Sequence, residues 1–211
     1  TEIPAQAFQG SVLFDTVSIP DSVEVIGNSA FASTSLKEVD IPDSVLKIEE
    51  WAFYWNQDLS TISIGSSVED IAAYAFYGAT IDELVVPDSV KAIGVKAFEE
   101  TSNLRSLTLG SSIEVIDQEA FFGSGLRELV IPDSVTMVGD KAFANNTDLY
   151  TVAIGNSIKT IGSEVFQGSG LTDVLLPESL TTIENSAFEN TKLRFVEIPE
   201  SVRFIGDKAF V

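Results

Sequence analysis

The chain has 211 residues, 45% of them hydrophobic, so it can bury a sizeable core; its 32 acidic against 12 basic side chains leave a formal charge of −20. That charge repels polyphosphate and anionic headgroups and excludes nucleic acid and membrane surfaces as expected partners. With no Cys and no His, the sequence has no disulfides, no zinc site of the usual N/S type, no Ser-His-Asp or Cys-His catalysis and no imidazole pH switch.

The absence of Cys leaves the redox compartment open. No run of about 18 apolar residues could span a bilayer, so no membrane insertion is expected, and the start at Thr1 carries no basic and apolar signal segment. No cofactor or metal is expected.

In chain order the dominant feature is self-similarity. After a half unit, Ile3-Pro4-Ala5-Gln6-Ala7-Phe8, the string Ile19-Pro20-Asp21-Ser22-Val23 returns from Ile41, Ile64, Val86, Leu109, Ile131, Ile154, Leu176 and Ile198, at steps of 22 or 23 residues. One unit reads L-x-x-V-x-I-P-D-S-V-x-x-I-G-x-x-A-F and ends in a few polar residues. Its opening alternates with period two, as at Val39 and Ile41, which predicts a short strand with one buried face. Proline follows, where a missing N–H is tolerable and the chain turns. A second extended piece, Val45 to Ile48 and its equivalents, leads into x-x-Ala-Phe, read as a single helical or 3₁₀ turn. Such a unit cannot bury its apolar face alone, so consecutive units must stack into a solenoid.

Two columns follow from the alignment. The rings of Phe8, Phe31, Phe53, Phe76, Phe98, Phe121, Phe143, Phe166, Phe188 and Phe210 recur once per unit and are expected to form an interior stack. Ser22, Ser44, Ser67, Ser89, Ser112, Ser134, Ser157, Ser179 and Ser201 form another; a column of identical hydroxyls with no base in the chain reads as hydrogen-bonding scaffold, bonded within its own unit or to the next, not as a set of nucleophiles. A longer period overlies these: Pro42, Pro87, Pro132 and Pro177 alternate with Gly65, Gly110 and Gly155, so the sequence unit is about 45 residues. The rhythm fails where Pro177 and Pro199 are successive.

Two groups of residues could carry recognition. Glu38, Glu83, Glu128 and Asp173 share an outward column on alternate units. Alternate strands lie about 10 Å apart, so the column itself cannot chelate calcium, which needs six to eight oxygens at about 2.3–2.6 Å. Surface pairing, solubility or a face for a cationic or hydroxyl-rich ligand remain the readings. Five of the six Trp and Tyr residues, Trp51, Tyr54, Trp55, Tyr74 and Tyr77, fall in two consecutive units. Alignment places Trp51 over Tyr74 and Tyr54 over Tyr77, as a packing patch or as a contact site for a ligand or partner.

The repeat L-x-x-V-x-I-P-x-S-V-x-x-I-G-x-x-A-F, over Ile3 to Phe210, resembles the BspA-like leucine-rich repeats of microbial surface proteins. Where that family's usual repeat has Cys, three residues after the Phe, this chain has Ser11, Thr34, Asn56, Ala79, Thr101, Ser124, Asn146, Ser169 and Thr191. The resemblance implies an α/β-type, mostly β repeat solenoid: a right-handed leucine-rich-repeat with a parallel sheet on one face and short strands plus helical or 3₁₀ turns elsewhere. Residues 1–211 are read as a single domain of about ten such units, partial at each end. It further implies a non-catalytic, extracellular or cell-surface adhesion module recognising a host protein, a partner cell or a matrix component. A carbohydrate-binding module using the aromatic cluster and a passive structural spacer are the alternatives. The ends look unfinished, so a fragment of a longer protein, monomeric or weakly associating end to end, is expected.

Overall fold

A computed structural model describes residues 1–211. The chain winds as a parallel β solenoid of about nine turns, carrying a tenth Phe in an incomplete turn. Each turn contributes up to two short strands. The opening strands are β2 (Thr16–Ser18), β4 (Glu38–Ile41), β6 (Thr61–Ile64), β8 (Glu83–Val85), β10 (Ser106–Thr108), β12 (Glu128–Ile131), β14 (Thr151–Ile154) and β16 (Asp173–Leu175). The second series is β1 (Glu2–Ile3), β3 (Val25–Ile26), β5 (Lys47–Ile48), β7 (Asp70–Ile71), β9 (Ala92–Ile93), β11 (Val115–Ile116), β13 (Met137–Val138), β15 (Thr160–Ile161), β17 (Thr182–Ile183) and β18 (Phe204–Ile205).

Sheet is therefore not confined to one face. The two-residue strands build the longest uninterrupted sheet, β1-β3-β5-β7-β9-β11-β13, whereas the opening strands form three shorter ones, β2-β4-β6, β8-β10 and β12-β14-β16. Alternation works as the sequence predicts: in β4, Val39 and Ile41 are buried and Glu38 and Asp40 face solvent. One contiguous apolar core of 51 buried residues runs from Ile19 to Ala209. At its centre the Phe column stacks with ring centroids 5.1 to 5.9 Å apart.

The expected helical or 3₁₀ turn at x-x-Ala-Phe is absent, and the chain contains no helix; none is therefore long and apolar enough to cross a membrane. The reason lies in two left-handed residues per turn, two before and two after each Phe. Around Phe31 these are Ser29 and Ser33, both at φ 55°, and around Phe53 they are Trp51 at 56° and Trp55 at 58°. A residue at positive φ interrupts a right-handed helix. Instead, N–H groups alternate in direction. Ala30 and Ala32 donate back three residues, to Gly27 and Ser29, while Ser29, Phe31 and Ser33 donate to Glu50, Ala52 and Tyr54 carbonyls in the next turn at 3.0, 2.8 and 2.7 Å. Half of each bend thus serves as a ladder to its neighbour.

The position three residues after the Phe holds a buried polar residue in most turns, and two asparagines there satisfy bend carbonyls. Asn56 donates to the carbonyls of Phe31 and Phe53 at 2.8 and 3.0 Å, and its Oδ1 accepts from Thr34 N–H at 2.8 Å. Asn146 repeats the donation to Phe121 and Phe143. The serine column is less regular than expected and points the other way. Ser44, Ser89 and Ser179 donate to Val23, Val68 and Ile158 carbonyls of the preceding turn, but Ser134 Oγ is buried without a partner.

The alternation of Pro with Gly has a steric cause. A Cβ on Gly65, Gly110 or Gly155 would stand 2.4, 2.3 or 2.5 Å from the carbonyl oxygen of Pro42, Pro87 or Pro132 in the turn before. Only glycine permits that approach. The Asp after each of these prolines closes the same junction, since Asp43, Asp88 and Asp133 accept the N–H of Ser66, Ser111 and Asn156 at 2.7, 2.6 and 2.7 Å. A Pro turn and the Gly turn after it form one clamped pair, which is the 45-residue period.

One junction is looser than the others. Val165 stands where the other turns have Ala, next to Phe166, and the Phe143–Phe166 separation of 5.9 Å is the widest in the column. There β13 and β15 do not pair. The larger Val165 side chain coincides with this wider spacing.

Candidate functional site

The aromatic cluster is assembled by the same bend that carries the core. Trp51, Tyr54 and Trp55 surround Phe53, and Tyr74 and Tyr77 surround Phe76 one turn later. Phe53 and Phe76 point inward and are fully buried. The flanking rings lie over one another outside them: Trp51 and Tyr74 are 5.8 Å apart, Tyr54 and Tyr77 5.1 Å, and Trp55 and Tyr77 5.8 Å. The three tyrosines are partly buried, whereas Trp51 and Trp55 are 38% and 42% exposed.

Backbone geometry does not call for these residues. The Trp51 column is left-handed in every turn, with Lys96 at φ 57°, Glu119 at 55°, Lys141 at 59° and Ser186 at 56°. Bulky side chains are disfavoured there, at about 1–3 kcal/mol for a non-glycine residue. The strain belongs to the repeat, and the tryptophans are additional to it.

The next turn closes one end of the cluster with charge. Lys96 Nζ lies 5.9 Å from the Tyr74 ring centroid and pairs with Glu99 at 3.0 Å and Glu119 at 2.6 Å. Burial acts to pull the Lys96 ammonium down, but the two carboxylates outweigh it and hold the group above the ordinary lysine range. Burial pushes the Glu99 carboxyl up, with Lys96 opposing. The Tyr77 phenol is raised by burial first and then by Glu99 and Glu100. On the opposite side, the turn before places the small residues Ser29, Ala32 and Ser33 in the columns of Trp51, Tyr54 and Trp55.

The acidic column lies on the other side of the turn. Glu38, Glu83, Glu128 and Asp173 open β4, β8, β12 and β16, all exposed. Hydroxyl residues separate them, with Thr61 beside Glu38, Ser106 beside Glu83, and Thr151 between Glu128 and Asp173. Glu128 accepts the Tyr150 hydroxyl, a bond that raises the phenol above its ordinary value. The structure does not bring this column together with the aromatic cluster. Sequence reading overlooked a feature of the same strands: Val85, Val130 and Leu175, two residues after Glu83, Glu128 and Asp173, are largely exposed. The period-two rule applied to the outward face would have found them.

Comparison with known proteins places the repeat. The family model for the BspA type leucine rich repeat region matches in six copies, over residues 1–124 and 91–211. No curated protein matches the chain. Among solved structures, a leucine-rich repeat protein from Bacteroides ovatus is 24% identical with a TM-score of 0.75, over 97% of this chain and 66% of that one. A leucine rich cell surface protein from Faecalibacterium prausnitzii is 24% identical with a TM-score of 0.64, over 100% of this chain and 74% of that one. The pneumococcal vaccine antigen PcpA is 22% identical with a TM-score of 0.56, over 96% and 70%. The chain therefore spans about two thirds of the Bacteroides ovatus protein. The repeat, its stacked Phe column and the family match over the whole length agree: the chain belongs to the BspA-type leucine-rich repeat family.

Proposed function

We propose that this chain is a non-catalytic binding module, displayed extracellularly or at a cell surface, that recognises a host protein, a partner cell or a matrix component through Trp51, Tyr54, Trp55, Tyr74 and Tyr77. The observation that carries the reading is the exposure of Trp51 and Trp55 at left-handed positions that turns outside the cluster fill with charged, amide or small residues. Large aromatic rings provide contact area at low side-chain entropy cost and dominate binding energy where interfaces use them. The names of similar proteins, a cell surface protein and a vaccine antigen, support the location. The acidic column is a secondary contact, contributing electrostatic steering toward a cationic or hydroxyl-rich partner.

A second reading, a carbohydrate-binding module, rests on the same two indoles, whose exposed faces suit stacking on a flat sugar ring. A panel of matrix proteins and a glycan array, each probed with the purified chain and with Trp55→Ala, separates the two. Binding lost in Trp55→Ala at an unchanged melting temperature supports the site, and the array that responds names the ligand class. Binding retained in the variant removes the site, and silence on both panels leaves a structural spacer.

A further inference from the structure

We propose that the notch between Trp55 and Glu100 binds one cationic side chain, the arginine or lysine of a basic protein segment, so that the partner of the aromatic patch is a basic polypeptide. This rests on the reading of Trp51, Tyr54, Trp55, Tyr74 and Tyr77 as a contact site and adds the chemistry of what they touch. The fold already contains a filled version of such a notch. In the column two residues before each Phe, Tyr74, Lys96 and Glu119 follow one another in consecutive turns. The Lys96 ammonium stands 5.9 Å from the Tyr74 centroid and 2.6 Å from Glu119, with Glu99 at 3.0 Å on its flank. A cation between an aromatic face and a carboxylate is attracted from both sides. The column two residues after each Phe carries the same series with its middle member missing: Trp55, Gly78 and Glu100. Gly78 has no side chain to cover the indole, which is 42% exposed. Glu100 is exposed and pairs with no basic group.

The spacing suits a single cation. The planes of Tyr54 and Trp55 lie 20° and 24° from that of Tyr77, and Tyr54 and Tyr77 stack one turn apart at 5.1 Å, so these ring faces look along the solenoid toward neighbouring turns. The indole rests at Gly78 and the Glu100 carboxylate leans over Gly123, two turns or ~10 Å further on. A cation within ~6 Å of the ring centroid and ~2.8 Å from a carboxylate oxygen spans most of that length. Surrounding charge favours the same occupant. Glu50, next to Trp51, is also exposed, and the neighbouring lysines are already engaged, Lys47 with Glu49 and Lys96 with its two glutamates. The Tyr77 phenol is raised by burial first and then by Glu99 and Glu100, so the field at the stacked rings is negative.

A formal charge of −20 draws basic chains to the whole surface, so the test separates local capture from general attraction. The full chain, isotopically labelled for NMR, has two indole N–H resonances, from Trp51 and Trp55. At about 0.15 M salt, the peptide Gly-Arg-Gly-Arg-Gly should move the Trp55 resonance saturably with a midpoint below about 5 mM. The same peptide with uncharged citrulline for arginine should bind at least about threefold more weakly. Glu100→Gln keeps an acceptor oxygen at the same left-handed position and should weaken the arginine peptide at least about threefold. Glu178→Gln, an equal loss of charge at an exposed site several turns away, should change it by less than about twofold. No saturable shift, equal affinity for the citrulline peptide, or equal effects of the two glutamine variants would each overturn the proposal. The underlying reading fails separately, when Trp55→Ala leaves binding on the matrix and glycan panels unchanged. Panel binding that needs Trp55 but not Glu100 keeps the patch and removes the basic partner.

Discussion

The indole of Trp55 rests on the backbone of Gly78 in the following turn: a Cβ on Gly78 would stand 2.7 Å from Trp55 Cε3. The two residues occupy the same column, two after Phe53 and Phe76, and both are left-handed, with φ 58° and 71°. Glu100 lies over Gly123 and Asn145 over Gly168 in the same way. A large residue followed by glycine is thus a recurring pair, and the aromatic patch is built on one copy of it.

Gly78→Ala should displace the indole and add left-handed strain, at a cost of about 1–3 kcal/mol. With Trp51→Phe as background, Trp55 is the sole indole, and its emission should shift with the substitution. An unchanged spectrum and an unchanged urea midpoint would show that the contact is not tight.

Phe98→Ala removes a fully buried ring between Phe76 and Phe121, at 5.2 and 5.3 Å, and should cost about 3–5 kcal/mol in urea unfolding. Phe8→Ala, at a partly exposed end of the column, should cost much less. Equal losses would contradict a stack whose energy comes from neighbours on both faces.

At the loose junction, Val165→Ala should let β13 and β15 approach. The N–H groups of Lys159, Thr160 and Gly162 would then regain bonds that their equivalents in the other turns donate to the preceding turn, each worth about 0.5–1.5 kcal/mol. That gain equals or exceeds the lost burial of two methyl groups, about 0.8 kcal/mol each, so stability should not fall while the Gly162 amide becomes slower to exchange. A full cavity-type loss with unchanged exchange would mean the gap has another cause.

Acid should weaken the clamps between paired turns. The N–H of Ser66, and then its hydroxyl, lower the Asp43 carboxyl below its ordinary value of 3.8, and Ser111 does the same for Asp88. A carboxyl depressed in the folded state binds fewer protons there than in the unfolded state. Its stabilisation is therefore present above pH 3.8 and is lost as pH falls through the folded value. The double variant Asp43→Asn, Asp88→Asn keeps an acceptor oxygen and removes the titration, so its melting temperature should fall less steeply below about pH 4 than that of the parent. Parallel pH profiles would remove these two groups from the acid response.

Much of this protein is fixed by local pattern. Repeat length, the Phe column, the buried and exposed faces of β4 and β12, and the pairing of Trp51 with Tyr74 and Tyr54 with Tyr77 follow once equivalent residues must stack at one-strand spacing. The left-handed residues beside each Phe were not legible, because Ser, Trp, Lys and Glu carry no signal for positive φ, and the stacking of neighbouring turns imposes it. The exposure of Trp51 and Trp55 depends on which neighbours in adjacent turns are small, a property of three dimensions. So does the end of the opening sheet at β16. The sequence contains the irregular Pro177 to Pro199 step, but whether such a step keeps its strands paired, as β2 and β4 do across the successive Pro20 and Pro42, or ends the sheet is decided by the packing of the turns on either side.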